Sequence, residues 1–428
     1  MAVYLICYLA SYILARFDHY LVSGVLLLAA AIWLYMEDYR KYKNLIHLRG
    51  LFSLFWVGGE GLACLKLSNL QTDWSGMTWF CLFLAYIGFW LVFEALVQAY
   101  GSGYDGYGRW RSFSGDPRPV FTMICALTAV SLVCFITESV VLGYVPLLLR
   151  GVPHAYSEFH LTGIHYFTVS CVLVPSLTVL YIHMRNGRGS EKLLIASLVM
   201  AGISLLIPIL CVSRFQLVFA VLLAAFTYIS LQKLFHPGWL GLFVVLLPFY
   251  LILTVARSHN IEYLNGIFEM KRASMPIFIS QPYIYIANNY DNFNCMVEAL
   301  PGHSFGLKGL FPLWALSGLK FFFPQLINFP IYVDKTELTT LTLFYDSYYD
   351  FGWIGVLLFS CILGAVAYIL VVKLREMRNP LGYLLYAQFA AYLMLSFFTT
   401  WFSNTTTWFY LILTGIMALF YHLRASRW

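Results

Sequence analysis

Residues 193–232 read LLIASLVMAGISLLIPILCVSRFQLVFAVLLAAFTYISLQ, forty positions in which Arg214 is the single formally charged side chain. Lys192 and Lys233 close the run at either end. As one helix it would be about 60 Å long at 1.5 Å per residue. A bilayer's hydrocarbon core is only about 30 Å thick, so the run is expected to fold back as two spans, hinged at or near Arg214. Lysine and arginine favour the cytoplasmic side of short connections. Lys192 and Lys233 therefore place Arg214 at the outer end of the hairpin.

Composition carries this reading to the whole chain. It has 428 residues, 61% of them apolar and only 11% charged, and a soluble domain of this length would not bury so much apolar surface. The expected fold is all-α, a polytopic membrane bundle of about twelve helices with a large helical outer loop. Apolar segments fall near 2–15, 20–36, 51–67, 77–99, 119–136, 164–183, 193–212, 215–231, 239–256, 352–372, 381–400 and 408–422. The division expected is nine spans over 1–256, one long extracytoplasmic loop over 257–351, and three more spans over 352–428. The net charge of +6 follows from short basic connections such as Arg109, Arg111 and Arg118, so no nucleic-acid partner is implied; the lipid bilayer is. Met1 to Ala15 lacks a basic leader and reads as a retained first span. Eight of the nine cysteines lie in or beside apolar segments, which argues against a disulfide framework. No Cys/His cluster suggests a metal, and no cofactor is expected.

Loops as long as 257–351 are uncommon unless they carry function. This one contains Asp291, His303, Asp346 and Asp350 as candidate proton acceptors. Tyr283, Tyr285, Asn288, Asn289 and Tyr290 combine flat aromatic faces with amides, a mixture that suits a glycan's C–H faces and hydroxyls. The competing reading is an interfacial aromatic belt, where tyrosine is also enriched. Gly306 to Pro330 is apolar and aromatic but broken by Pro312 and Pro324. A helix lying in the outer interface, with Lys308 and Lys320 at headgroup level, fits it better than a span. Arg214, Arg257 and Arg272 are candidates for gripping a diphosphate through paired N–H donors, against the alternative of cations snorkelling to lipid headgroups. Glu60, within Gly58-Gly59-Glu60-Gly61, is either packed and hydrogen-bonded or mechanistic. Glu94 is expected only to snorkel at an inner helix end.

The layout resembles a Wzy-type polymerase of O-antigen or capsular polysaccharide repeat units. The resemblance lies in Ser213-Arg214-Phe215-Gln216-Leu217 heading an apolar helix, and in Ala256-Arg257-Ser258 opening the long loop. It also lies in Ile284 to Asp291 midway, and in Leu343-Phe344-Tyr345-Asp346-Ser347-Tyr348-Tyr349-Asp350-Phe351-Gly352 before a span. It covers about 190–428. The Arg-x10-Gly pattern of some members is absent, since Leu161, Phe268 and Tyr283 stand where Arg150, Arg257 and Arg272 would place its glycine. The resemblance implies an inverting, metal-independent glycosyltransferase in a bacterial cytoplasmic membrane, with its site facing outward. Its substrate would be an undecaprenyl-diphosphate-linked oligosaccharide, and a chain-length-regulating co-polymerase is a partner it leaves open. Diphosphate leaves readily, so the protein's task is positioning and charge stabilisation, with a base on the acceptor hydroxyl. Asp291, His303, Asp346 and Asp350 stay open for that role. Asp346 and Asp350 would share a helical face, but capping of the following helix accounts for them equally well. An O-antigen ligase and a lipid-linked glycan flippase are the alternative functions.

Overall fold

The computed structural model describes residues 1–102, 115–149, 158–185, 187, 190–231, 266–272, 274–374 and 376–425. The helices, in chain order, are α1 (Ala2–Arg16), α2 (Tyr20–Tyr42), α3 (Leu48–Phe52), α4 (Gly58–Cys64), α5 (Gly76–Tyr100), α6 (Arg118–Leu142) and α7 (Ile164–Arg185). They continue as α8 (Glu191–Leu210), α9 (Arg214–Leu231), α10 (Ile277–Ala299), α11 (Phe311–Leu316), α12 (Tyr345–Lys373), α13 (Leu381–Met394) and α14 (Thr405–Ala425). Among the described residues there is no strand beyond one isolated bridge between Ser68 and Met270. Among the described residues, eight helices, namely α2, α5 to α9, α12 and α14, are long and apolar enough to cross a membrane. The chain is an all-α, multi-pass membrane protein. Helices α1 and α13 are apolar but shorter, at 15 and 14 residues. The segment expected at 239–256 lies outside the described residues.

Contacts divide the protein into two units. The first holds α1 to α5, α10 to α12 and residues 392–408; the second holds α6 to α9, residues 376–391 and 409–425. These units cut across the linear order of spans, loop and spans.

In the first unit small residues let helices approach closely, as membrane packing requires. A Cβ on Gly24 of α2 would stand 2.6 Å from the Gly61 carbonyl of α4. Hydroxyls tie α1 to its neighbours: Ser11 and Ser23 Oγ of α2 lie 2.6 Å apart, and Tyr8 donates to the Trp79 carbonyl of α5 at 2.6 Å. The segment expected at 51–67 is not one regular helix, because a π turn over Ser53–Val57 separates α3 from α4. Tyr290 from α10 accounts for it. Its hydroxyl donates to the Trp56 carbonyl at 2.8 Å and also meets the Glu60 amide, so it is inserted between two groups that would otherwise pair along the helix. Insertion of a side chain into the ladder is an established cause of such irregularities.

One end of this unit is closed by Arg49, which is 5% exposed. Its Nε lies 3.0 Å from both Asp38 oxygens, and Nη1 lies 2.5 Å from Glu94 Oε2. Glu94 therefore does more than snorkel: it neutralises a buried guanidinium.

In the second unit α8 and α9 form the expected hairpin, turning through Val212 at φ 54°. Arg214 is the half-buried first residue of α9. The buried Glu138 accepts from the Leu161 amide at 2.9 Å and pairs with His165 Nδ1 at 3.1 Å.

Candidate functional site

Helix α10 is the frame on which the site of the first unit is built. It is buried nearly all round, yet its core-facing positions include Asn288, Asn289, Asp291, Asn292 and Asn294. A buried amide must be hydrogen-bonded, and here the partners are irregular main chain. Asn292 donates to the carbonyls of Leu338 at 2.8 Å and Thr340 at 2.9 Å. Asn289 donates to the Phe397 carbonyl at 2.6 Å and accepts from Thr340 Oγ1 at 2.5 Å. Asn294 Oδ1 accepts from the Ser75 amide at 2.8 Å and Thr78 Oγ1 at 2.7 Å. The asparagines thus replace the backbone partners that loops inside a bundle lack.

This corrects the expectation of an open glycan platform. Asn288 and Asn289 are buried in these contacts. Tyr290 is spent in the α3–α4 irregularity, and Tyr283 donates to Gln71 Oε1 at 2.6 Å while accepting from the Leu67 amide at 2.9 Å. Tyr285 is half-buried and packs on Phe398.

Asp291 is fully buried. Oδ1 accepts from Lys66 Nζ and Trp74 Nε1, both at 2.8 Å, and Oδ2 accepts from Gln71 Nε2 at 2.9 Å. Lys66 also lies 4.6 Å from the Trp74 ring centroid. With both oxygens engaged, Asp291 is not presented as a free base. A cleft of about 70 Å³ opens beside this cluster, lined by Arg16, Asp18, Tyr20, Lys66, Asp73 and Trp74 among others. The Tyr20 hydroxyl bridges Asp18, at 3.2 Å, and Asp73. Nearby, the Asp334 amide donates to Asn292 Oδ1 at 3.0 Å. Desolvation, with the Asp291 charge adding to it, pushes the Asp334 carboxyl up to about 6.

A second cluster lies where the long connection enters α12. The helix kinks at Phe351 and Gly352, and Gly352 has φ 61°, a conformation glycine adopts without strain. Asp350, just before the kink, binds the turn that begins at Ser304. It accepts from the Ser304 hydroxyl, the Lys308 amide at 3.2 Å and the Gly309 amide at 2.8 Å. That turn carries Lys308 inward, so that Nζ sits 3.7 Å from Asp346 Oδ1 and 4.2 Å from the Tyr349 ring centroid. Burial pushes the Lys308 ammonium down, while Asp346 and Asp350 pull it back up. Asp346 is 5% exposed; Thr400 and Ser403 hydrogen-bond to it, while its Oδ1 has no hydrogen-bond partner among the described residues. His303 is exposed and borders the kink, with Nδ1 3.3 Å from the Tyr349 carbonyl.

The structure thus gathers His303, Asp346 and Asp350 around Lys308, and it ties Asp291 into a separate ion pair. Arg272 is exposed and belongs to the first unit, Arg214 belongs to the second, and Arg257 lies outside the described residues. Lys66, Trp74, Lys308 and Asp334 did not emerge as site residues from sequence. For Lys308 a signal existed, since it and Lys320 are the two charges between Phe305 and Ile331. For Lys66 the signal was weak, a cation ending an apolar segment.

Fold and clusters together define a multi-pass helical membrane protein with ion-paired groups gathered at helix ends and in the connection between α10 and α12. No known protein family, curated protein or solved structure matches the chain.

Proposed function

We propose that the protein is a glycosyltransferase acting on lipid-linked oligosaccharides, and specifically a polymerase that transfers a growing glycan from undecaprenyl diphosphate to a new repeat unit. The reaction would occur at the outer face of a bacterial cytoplasmic membrane. The observation that carries this reading is the Lys308–Asp346 pair: a carboxylate oxygen with no hydrogen-bond partner among the described residues, 3.7 Å from an ammonium.

The chemistry asks for both groups. Asp346 takes the proton of the acceptor hydroxyl as its oxygen bonds to the anomeric carbon. The bond from that carbon to the phosphate oxygen breaks, and its electron pair leaves on the lipid diphosphate with inversion. Lys308 stabilises the growing negative charge. Arg272, in the same unit as Lys308, is a further candidate for the diphosphate. The cleft lined by Arg16, Asp18 and Asp73 supplies a guanidinium and carboxylates suited to sugar hydroxyls, in place of the buried α10 residues.

The test is reconstitution of purified protein with a lipid-diphosphate-linked repeat unit. A ladder of lengthened products is expected. Transfer only to a lipid A core acceptor would make the protein a ligase, and substrate crossing the bilayer unchanged would make it a flippase; either result overturns the polymerase reading.

A further inference from the structure

The stretch from Phe305 to Ile331 contains two lysines, no acidic residue and no regular element longer than the six residues of α11. The expectation of one interfacial helix is corrected: α11 is followed by short 3-10 turns at Leu319–Phe321 and Pro324–Leu326. Irregular backbone cannot cross the hydrocarbon core, where its free N–H and C=O groups would go unpaired. Yet the side chains are those of a buried segment. Phe305 is 77% exposed, Phe321 66% and Phe322 78%, with Leu310, Leu313 and Phe323 also exposed. Water is a poor solvent for such a surface.

What covers it follows from its neighbour. The face of α12 that bears exposed Trp353, Ile354, Leu358 and Ile362 belongs to a membrane span. That surface runs up to Phe351 at the kink, and Phe351 packs edge-on against Phe305 at 6.3 Å. The exposed apolar surface is therefore continuous from the lipid-facing side of α12 into the irregular segment. Lys320, 5.2 Å from the Phe321 ring centroid, adds the cation that a phosphate-bearing headgroup layer attracts.

We propose that residues 305–331 are seated in the headgroup layer of the leaflet that α12 enters at its kink, with Phe321 and Phe322 among the upper acyl carbons. At that depth water still reaches the backbone while the rings leave it. The seating does not depend on the enzymatic reading. If that reading also holds, Lys308 meets its diphosphate from the bilayer side, since the segment carrying it lies at the depth of lipid phosphates.

Full-length protein with the photoreactive p-benzoylphenylalanine in place of Phe322 is irradiated in native membranes and digested for mass spectrometry. The expected product is a peptide carrying a phospholipid, as from the same probe replacing Leu358 on α12. A probe replacing the exposed Glu337 should give none. Replacement of Phe321 is a second variant, should the first accumulate poorly. Absence of lipid adducts at 321 and 322 while 358 is labelled would overturn the proposal. So would their replacement by adducts to another protein or to a second copy of this chain.

Discussion

Asp346 and Asp350 lie one helical turn apart on α12, yet their surroundings give them different work. Asp350 spends both oxygens on the Ser304–Gly309 turn, whereas Asp346 keeps one oxygen without a hydrogen bond beside Lys308. Asp346→Asn should therefore lower the polymerisation rate by about 10²–10⁴-fold, the usual yield of a positioned proton acceptor, well beyond what the destabilisation from leaving the buried Lys308 with one charge partner fewer accounts for. Asp350→Ala should act mainly on stability, costing about 1–3 kcal/mol as buried donors lose their acceptor. Thermal unfolding in detergent, run beside the rate assay, separates the two, and equal losses of rate and stability in both variants would refute the assignment. Asp334 allows a test by pH. Its carboxyl is raised to about 6, from an ordinary value of about 3.9, so the folded protein holds this proton more tightly than the unfolded chain does. The stability it contributes is present below about pH 4 and is lost as the pH rises through 6. Asp334→Asn should then gain on the wild type in melting temperature between pH 4 and pH 6.5. A difference that stays constant over that window would mean the carboxyl is not perturbed.

At the scale of elements, the irregular passage from α3 to α4 depends on α10 as much as on its own sequence. Gly59 is what admits Tyr290, since a Cβ there would stand 2.6 Å from the Tyr290 hydroxyl oxygen. Gly59→Ala should destabilise the first unit by about 1–3 kcal/mol, the range for an overfilled core. Tyr290→Phe should cost about 1–3 kcal/mol by leaving the Trp56 carbonyl unpaired. Because both changes act on one contact, the double variant should lose less than the sum of the two; strict additivity in unfolding measurements would disprove the coupling. The same example marks where sequence reading stops. The α8–α9 hairpin could be read directly, because three cations fix where an apolar run begins, turns and ends. Helix α10 could not, because asparagine and tyrosine look alike in sequence whether they face a sugar or a buried carbonyl. Its partners come from residues 56–78, 334–340 and 397, and no local pattern announces them. Asp346 and Asp350 could be named as a pair, but their division of labour depends on a turn forty residues upstream.

For the molecule as a whole, the charge distribution of the first unit determines which of its ends should face out. Arg49 is clamped by Asp38 and Glu94 at one end, the end at which α2 finishes in Arg40, Lys41 and Lys43. The clusters around Lys66 and around Lys308 gather the opposite helix termini: the start of α5 and α12 and the finish of α4. Short connections rich in lysine and arginine are retained in the cytoplasm, so the Arg49 end should face inward and both clusters outward. A lipid-linked donor presented on the outer leaflet can be used only in that orientation. Lys43 and Glu337 are exposed positions on the two sides of this argument. A cysteine replacing Glu337 should react with a membrane-impermeant maleimide in right-side-out vesicles, above the background from the native cysteines. A cysteine replacing Lys43 should react only once the vesicles are permeabilised. The reverse pattern would leave the fold untouched but put Lys308 and Asp346 on the cytoplasmic side, where polymerisation of exported repeat units could not take place.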